Sequence, residues 1–252
     1  MRLFCEALWI QKRGNSSAEY EDAFWPKPSI SGEDREQLSI AIADGATESS
    51  FSEMWAKKLV RAYCHGRIDV SNLIASLPEL QQSWRQIVCR KPLPWYTEQK
   101  VQSGAFSTIL GLTLRNGTEN SDSGSWEAVA VGDSCLVQLR GDALISAFPL
   151  RTSTEFNNTP FLIGSRPNSN YELQLHVRTM NGTWEAGDSF YLMTDALAAW
   201  FFREVEQDAA PWRILRDLDN DQNLPFGPWI EEKRDQKVLR NDDVTLYRIE
   251  TS

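Results

Sequence analysis

The run Leu38 to Ala43 (LSIAIA) limits the fold more than any other stretch of this chain. Leu38, Ile40 and Ile42 alternate with Ser39, Ala41 and Ala43, and Asp44-Gly45 ends the run. Period-two alternation marks a β-strand. Here both faces are apolar or small, so the strand is expected to be covered on both sides. Similar strand windows are Leu3 to Gln11, Ser107 to Leu114, Glu127 to Val131, Cys135 to Leu139, Leu173 to Val177, Phe190 to Met193 and Val244 to Ile249.

Helical spacing appears between these windows. Phe51, Trp55, Leu59 and Tyr63 recur at i+4, and Glu53 with Lys57 forms an i,i+4 pair. A second helical zone runs from Val70 to Val88, with a break expected near Pro78. A third follows Asp195 through Leu197, Trp200 and Phe201. Helices bunch between Phe51 and Val101, and strands bunch from Ser107 to Met193. That grouping favours α+β over a doubly wound parallel sheet. A helical layer over a mostly antiparallel sheet, or over a two-sheet sandwich, fits best. The polar stretch Arg115 to Ser125 reads as a hairpin loop, and Trp25 to Pro28 as another. There is no internal repeat and no evident linker.

Composition removes several function classes. The 252 residues carry 26 basic and 35 acidic side chains, a formal charge of −9. That disfavours a nucleic-acid partner, which needs basic patches. No apolar run approaches the roughly 20 residues of a membrane helix, and the N-terminal segment lacks a secretory layout. A cytoplasmic protein with no membrane partner is expected. The two histidines, His65 and His176, exclude a His-rich metal cluster. Cys5, Cys64, Cys89 and Cys135 form no C-x-x-C pair and read as reduced thiols. The chain has no P-loop, no G-x-G-x-x-G, no H-E-x-x-H and no G-x-S-x-G. No cysteine is followed by the arginine that a thiol phosphatase would place six residues on. Cys64-His65 reads as a helix-end pair ahead of Gly66 rather than a dyad.

What remains is a set of aspartates at strand ends. Asp44, Asp133 and Asp195 follow strand windows, and Asp242 precedes one. In an antiparallel sheet one strand's end lies beside its neighbour's start, so the four can gather on one edge. Glu21-Asp22 can join them after the first strand. Clustered carboxylates repel and raise each other's pKa unless cations neutralise them. Oxygen-only ligands select Mg²⁺ or Mn²⁺ over zinc. Two such ions can lower the pKa of a bridging water and clamp a phosphoryl group. Each aspartate taken singly also fits a turn-forming role, since Asp-Gly is a common turn.

The order of these pieces resembles the type-2C metal-dependent serine/threonine protein phosphatases. The matching pieces are Glu21-Asp22-Ala23, Asp44-Gly45, Gly104 to Thr108, Gly132-Asp133-Ser134, Thr194-Asp195 and Asp242-Asp243-Val244-Thr245. The resemblance implies one catalytic domain over residues 1–252, built as an αββα sandwich of two mainly antiparallel sheets flanked by helices. It implies two ions, Mn²⁺ or Mg²⁺. Asp44 would bridge them, with Gly45 offering its carbonyl. Asp195 and Asp242 would bind the first ion, and Glu21 and Asp22 would hold waters on the second. Asp133 matches a third-metal ligand of bacterial members. The implied reaction is hydrolysis of phosphoserine or phosphothreonine in a phosphoprotein by metal-activated water, without a phosphoenzyme, in a monomer.

The chain departs from that pattern at the phosphate grip, at the acid and at the third metal. Ser17 stands where the family has an arginine that grips phosphate, and Lys12 or Arg13 can substitute or can be surface charges. Ala46 replaces the histidine held to protonate the leaving group in animal members, as in many bacterial relatives. Ala199 replaces the second aspartate of the Thr-Asp motif, removing a third-metal ligand. Asp243 stands where asparagine is common. These departures keep a second reading open, a catalytically silent module of the same fold that binds a signalling partner. Hydrolysis of a small phosphoester is a third. Trp55 and Trp200 are expected in the core, and packing is the favoured role for Trp95, Trp184, Trp212 and Trp229. Thr152 to Arg166 is the expected substrate-facing flap, with Arg166 a candidate phosphate contact.

Overall fold

A computed structural model describes residues 1–27, 31–34 (backbone only), 36–47, 51–90, 101–117, 122–157, 159–219 and 224–252. Two antiparallel sheets pack face to face. The first has the order β3 (Ser31–Asp34), β1 (Arg2–Ile10), β13 (Val244–Thr251), β12 (Asp188–Met193), β8 (Cys135–Arg140), β9 (Ala143–Phe148). The second has the order β11 (Arg178–Glu185), β7 (Ser123–Val131), β6 (Ile109–Asn116), β4 (Gln37–Ala43), β2 (Ala23–Trp25). A short pair, β5 (Phe106–Ser107) with β10 (Ile163–Gly164), stands apart.

Alternation within the strands explains the layering. Leu38, Ile40 and Ile42 of β4 face Leu136, Phe190, Leu192 and Ile249 of the other sheet in an apolar interior. Ala41 and Ala43 point the other way, into a second core under α1 (Ser52–Cys64) and α2 (Leu73–Val88). On the far side Val137, Tyr191, Met193 and Leu246 meet α4 (Asp195–Glu206), α5 (Pro211–Asp217) and α6 (Phe226–Asp235). Both faces of each central strand are therefore buried, as the LSIAIA run requires. Truncating Ile40 or Leu112, both fully buried, should cost about 2–5 kcal/mol.

The i+4 row Trp55, Leu59, Tyr63 forms the buried face of α1. Tyr63 lies so close to Gly111 that a Cβ there would stand 2.5 Å from the ring, so β6 needs glycine at that contact. Trp55, Trp84, Trp184 and Trp200 are fully buried, and Trp212 and Trp229 nearly so. Trp95 lies outside the described residues.

Two expectations need correction. Leu173 to Val177 is no strand: Leu173–His176 is a single helical turn, α3, and the strand begins at Arg178. The alternation Leu-Gln-Leu-His-Val imitates a strand, and five residues are too few for period to decide. Pro78 does not break its helix, for α2 runs through it from Leu73 to Val88. Pro78 and Ile74 both lie on the exposed side, where water can take the carbonyl that proline leaves unpaired.

Candidate metal centre

Strand register brings the aspartates together. Ala23 pairs with Ala43, so the next step along β2 and β4 sets Asp22 opposite Asp44. Ile109 pairs with Val131, which puts the end of β7 and the following Gly132-Asp133 beside Thr108. Met193 pairs with both Cys135 and Leu246, so Asp195 lies next to Asp133 and to the turn Asp242-Asp243. The chain crosses from one sheet to the other at Gly132-Asp133-Ser134. Gly132 has φ +102°, and a Cβ would strike the Thr108 methyl at 2.5 Å. Glycine is needed there for both reasons.

A hydrogen-bond frame fixes these turns. Thr108 Oγ1 accepts from the Asp44 amide at 2.8 Å and contacts Ser134 Oγ at 3.1 Å. The Thr108 amide donates to the Asp44 carbonyl at 2.8 Å, and so does Ser107 Oγ. Thr245 Oγ1 donates to Asp22 Oδ2 at 2.7 Å and also contacts the Tyr20 hydroxyl. The Asp243 carboxylate receives the Lys12 amide at 2.7 Å and the Glu21 amide at 2.6 Å. Ser52 Oγ, at the start of α1, donates to Glu21 Oε1 at 2.6 Å. A Cβ on Gly45 would lie 2.6 Å from the Glu21 carbonyl, so residue 45 must lack a side chain for the two loops to meet. Of these supports Ser107, Thr108, Ser134, Asp243 and Thr245 lie in the motif pieces of the sequence. Ser52 and Tyr20 carry no local signature that marks them.

The electrostatics follow from burial and crowding. Burial raises the Asp44 carboxyl well above its usual range, and Asp22, Asp195, Asp242 and Asp133 raise it further. Asp22, 1% exposed, is raised the same way, by burial first and then by Asp243 and Asp195 against the opposing Thr245 hydrogen bond. Burial and Asp195 push Asp133 up to about 7. Asp195 is raised by burial and Asp242, with Arg240 opposing.

Arg240 is the residue that sequence reasoning missed. Its guanidinium pairs with Asp195 Oδ2 and lies 3.1 Å from Asp242 Oδ2, with its side chain 48% exposed. A cleft of about 200 Å³ opens beside it, lined in part by Asp133, Asp195, Ala199 and Arg203. The signal was a cation two residues before an aspartate in a turn. Among the described residues, no three His, Cys, Asp or Glu side chains stand close enough to cage an ion as they lie. The Arg240 guanidinium lies between two of the carboxylates, Asp195 and Asp242. The donor set still suits a hard cation. It is oxygen-only, and Asp22 Oδ1 and Asp133 Oδ1 are buried with no hydrogen-bond partner.

The expected phosphate contacts divide. The Arg13 guanidinium is tied to helix α6, with Nε 2.5 Å from Glu231 Oε2 and a terminal nitrogen 2.8 Å from Asp235 Oδ1. It is already partnered, which argues against a phosphate role. Lys12 is half-buried and held by its amide beside Asp243. Cys64 Sγ donates to the Trp25 carbonyl, and the His65 ring meets the Arg61 carbonyl at 2.6 Å, so neither acts on the other. In the expected flap, Thr152 and Glu155 form a capping box, and Ile163–Gly164 pairs with β5.

The family model for protein phosphatase 2C matches residues 15–229, and the chain belongs to that family. No curated protein matches by sequence. Solved structures share the fold at low identity. The serine/threonine phosphatase PstP/Ppp of Mycobacterium tuberculosis is 15% identical, with 100% of each chain covered and a TM-score of 0.57. RsbX in complex with magnesium is 18% identical, covering 100% of this chain and 96% of that one, with a TM-score of 0.51. The PstP catalytic domain in complex with two manganese ions is 16% identical, with 98% of each chain covered and a TM-score of 0.50. The αββα sandwich of two mainly antiparallel sheets is thus the fold of a metal-dependent phosphatase family. No helix among the described residues is long and apolar enough to cross a membrane.

Proposed function

We propose that the chain is a metal-dependent phosphoprotein phosphatase acting on phosphoserine or phosphothreonine, within one domain over residues 1–252. The observation that carries this reading is the convergence of Asp22, Asp44, Asp133, Asp195 and Asp242 from both sheets, with two buried carboxylate oxygens lacking partners. A cluster with no ion to receive has no electrostatic reason to persist at this cost.

In this reading Asp44, Asp195 and Asp242, with the Gly45 carbonyl, would hold two divalent cations, and Glu21 and Asp22 would orient water bound to them. Asp133 would serve a further ion, for which Ala199 supplies no ligand. Two Mn²⁺ or Mg²⁺ ions would lower the pKa of water between them and offset charge on the phosphoryl oxygens. Asp243 and Ser52 position Glu21, and Thr108 positions Asp44. The phosphate contact is assigned to Lys12, whose backbone amide is anchored to Asp243. With alanine at 46, the leaving alkoxide takes its proton from solvent. Function in signalling and a monomeric, cytoplasmic state complete the reading.

Arg240 motivates a second reading, a silent module that binds a signalling partner. A guanidinium on Asp195 and Asp242 supplies counter-charge without an ion. The test is hydrolysis of p-nitrophenyl phosphate by EDTA-treated protein after Mn²⁺ or Mg²⁺ is restored. Metal-restored turnover that vanishes in Asp44→Asn supports the phosphatase, and a phosphopeptide panel then separates it from a small-phosphoester hydrolase. No turnover, together with no Mn²⁺ binding by calorimetry, favours the silent module.

A further inference from the structure

A second site lies on the outer helical layer. Helices α1 and α2 border a groove of about 460 Å³, lined by Lys57, Lys58, Arg61 and Arg67, by His65, by the single acid Glu53 and by the apolar Met54, Leu80 and Ile87. This is a concentration of positive charge on a chain of net charge −9. Lys57 is paired with Glu53. Among the described residues, no carboxylate lies within ion-pair distance of Lys58, Arg61 or Arg67. Lys58 Nζ has only the Ser83 hydroxyl, at 2.8 Å, and Arg61 lies over the Trp25 ring at 5.0 Å. The Lys58 ammonium is pushed down by burial and by the neighbouring Arg67. An arriving anion would relieve that crowding.

The layout specifies the ligand. Lys58 and Arg61 stand one turn apart on α1 and Arg67 lies beyond its C-terminal end, so the unpaired charge is strung along about 9 Å or more. That is the length of about three extended residues or more. A single phosphate wants converging donors instead. The apolar side chains Met54, Leu80 and Ile87 (the last 49% exposed) share the lining with the cations. Single-stranded nucleic acid would want open aromatic faces for stacking, whereas Trp25 is covered by Arg61 and flanked by His65.

We propose that this groove docks an extended acidic segment of a partner protein, with carboxylates on Lys58, Arg61 and Arg67 and apolar side chains against Met54, Leu80 and Ile87. The inference does not rest on hydrolysis at the aspartate cluster. It concerns a different face and is read by binding alone.

The test is fluorescence anisotropy with a labelled hexapeptide that alternates acidic residues with leucine, and with its neutral Asn/Gln counterpart. The acidic probe should bind at least about tenfold tighter at low salt and weaken towards about 0.5 M salt. Lys58→Glu with Arg67→Glu should lose about tenfold or more, and the milder Lys58→Gln with Arg67→Gln should lose part of that. Arg213→Glu, on helix α5 beside Asp142, should leave binding unchanged. Circular dichroism melts check that each variant folds. Equal binding of the neutral probe, retention of binding in both folded double variants, or tighter binding of a single-stranded oligonucleotide of the same charge would each overturn the assignment.

Discussion

Strand β12 carries a buried aspartate at each end, and the two live in opposite environments. At its start Asp188 is 0% exposed. Arg140 clasps both of its oxygens at 2.8 and 3.0 Å, while Gln138 donates at 2.8 Å and the Glu185 amide at 3.0 Å. Burial pushes this carboxyl up, but the hydrogen bonds outweigh it and hold it below the usual range. Just past its other end Asp195 is 7% exposed. Its pKa is raised, because Arg240 does not cancel burial and the neighbouring Asp242. One carboxylate is satisfied by the protein alone. The other belongs to a group whose charge Arg240 compensates only in part, which is the state the proposed reading expects of a site for cations.

The largest effect should come from neutralising the partly compensated end. Asp44→Asn should reduce metal-restored turnover to background, measured with p-nitrophenyl phosphate. In EDTA the same variant should melt at or above the wild-type temperature, because it removes a repelled charge. Asp188→Ala should do the reverse. It leaves one N–H of Gln138, the Glu185 amide and the Arg140 guanidinium without their carboxylate, so urea unfolding should show a loss of about 2–3 kcal/mol, with metal-restored turnover retained in the folded fraction. If both variants destabilise alike, the contrast between the two ends is wrong.

The pH dependence sharpens the same contrast. In the metal-free protein Asp133 titrates near 7, against about 4 for an unfolded aspartate. Between those values the folded state binds more protons than the unfolded one. Stability should therefore fall as pH rises from about 4 to about 7. Asp188 has the opposite sign. Its folded pKa is lowered, so its contribution is present above about 4 and is lost as pH falls through the folded value. Thermal melts in EDTA across pH 4–8 should show stability declining towards neutrality. Added Mn²⁺ should flatten that decline, by mass action on the folded state.

These contrasts show what was legible in the sequence. The strand-end aspartates were readable because a strand's period and its terminal turn are local facts, and the antiparallel register then dictates their convergence. The two-sided burial of LSIAIA was readable for the same reason. Pro78 was misread because its tolerance depends on which side of α2 meets solvent, a tertiary matter. Leu173 to Val177 was misread because its apolar-polar alternation is too short for period to choose helix or strand. Arg240 and the Arg13 pair with Glu231 and Asp235 depend on how side chains from distant segments meet. Spacing along the chain carries none of that.

Arg240→Gln probes the half-compensated state of Asp195. The guanidinium must leave Asp195 and Asp242 before an ion can use both. Its removal should tighten Mn²⁺ binding by on the order of tenfold, about 1.4 kcal/mol, read by calorimetry. The metal-free melting temperature should drop, since the carboxylates lose their nearest cation. Unchanged Mn²⁺ affinity would mean that Arg240 and the ion occupy different places.

The smallest effects separate two neighbouring cations. Arg13 is exposed and bound to Glu231 and Asp235, and exposed pairs of this kind contribute little. Arg13→Ala should leave both the melting temperature and KM for a phosphopeptide unchanged. Lys12 differs by one position along the chain, but its amide is anchored to Asp243, the same carboxylate that holds Glu21. Its ammonium therefore starts from a backbone fixed against the acidic centre. Lys12→Ala should raise KM several-fold with kcat less affected, as expected when a group binds substrate and transition state alike. If Arg13→Ala raises KM and Lys12→Ala does not, the pair with α6 opens in solution, and the phosphate contact belongs to the residue that the folded geometry disfavours.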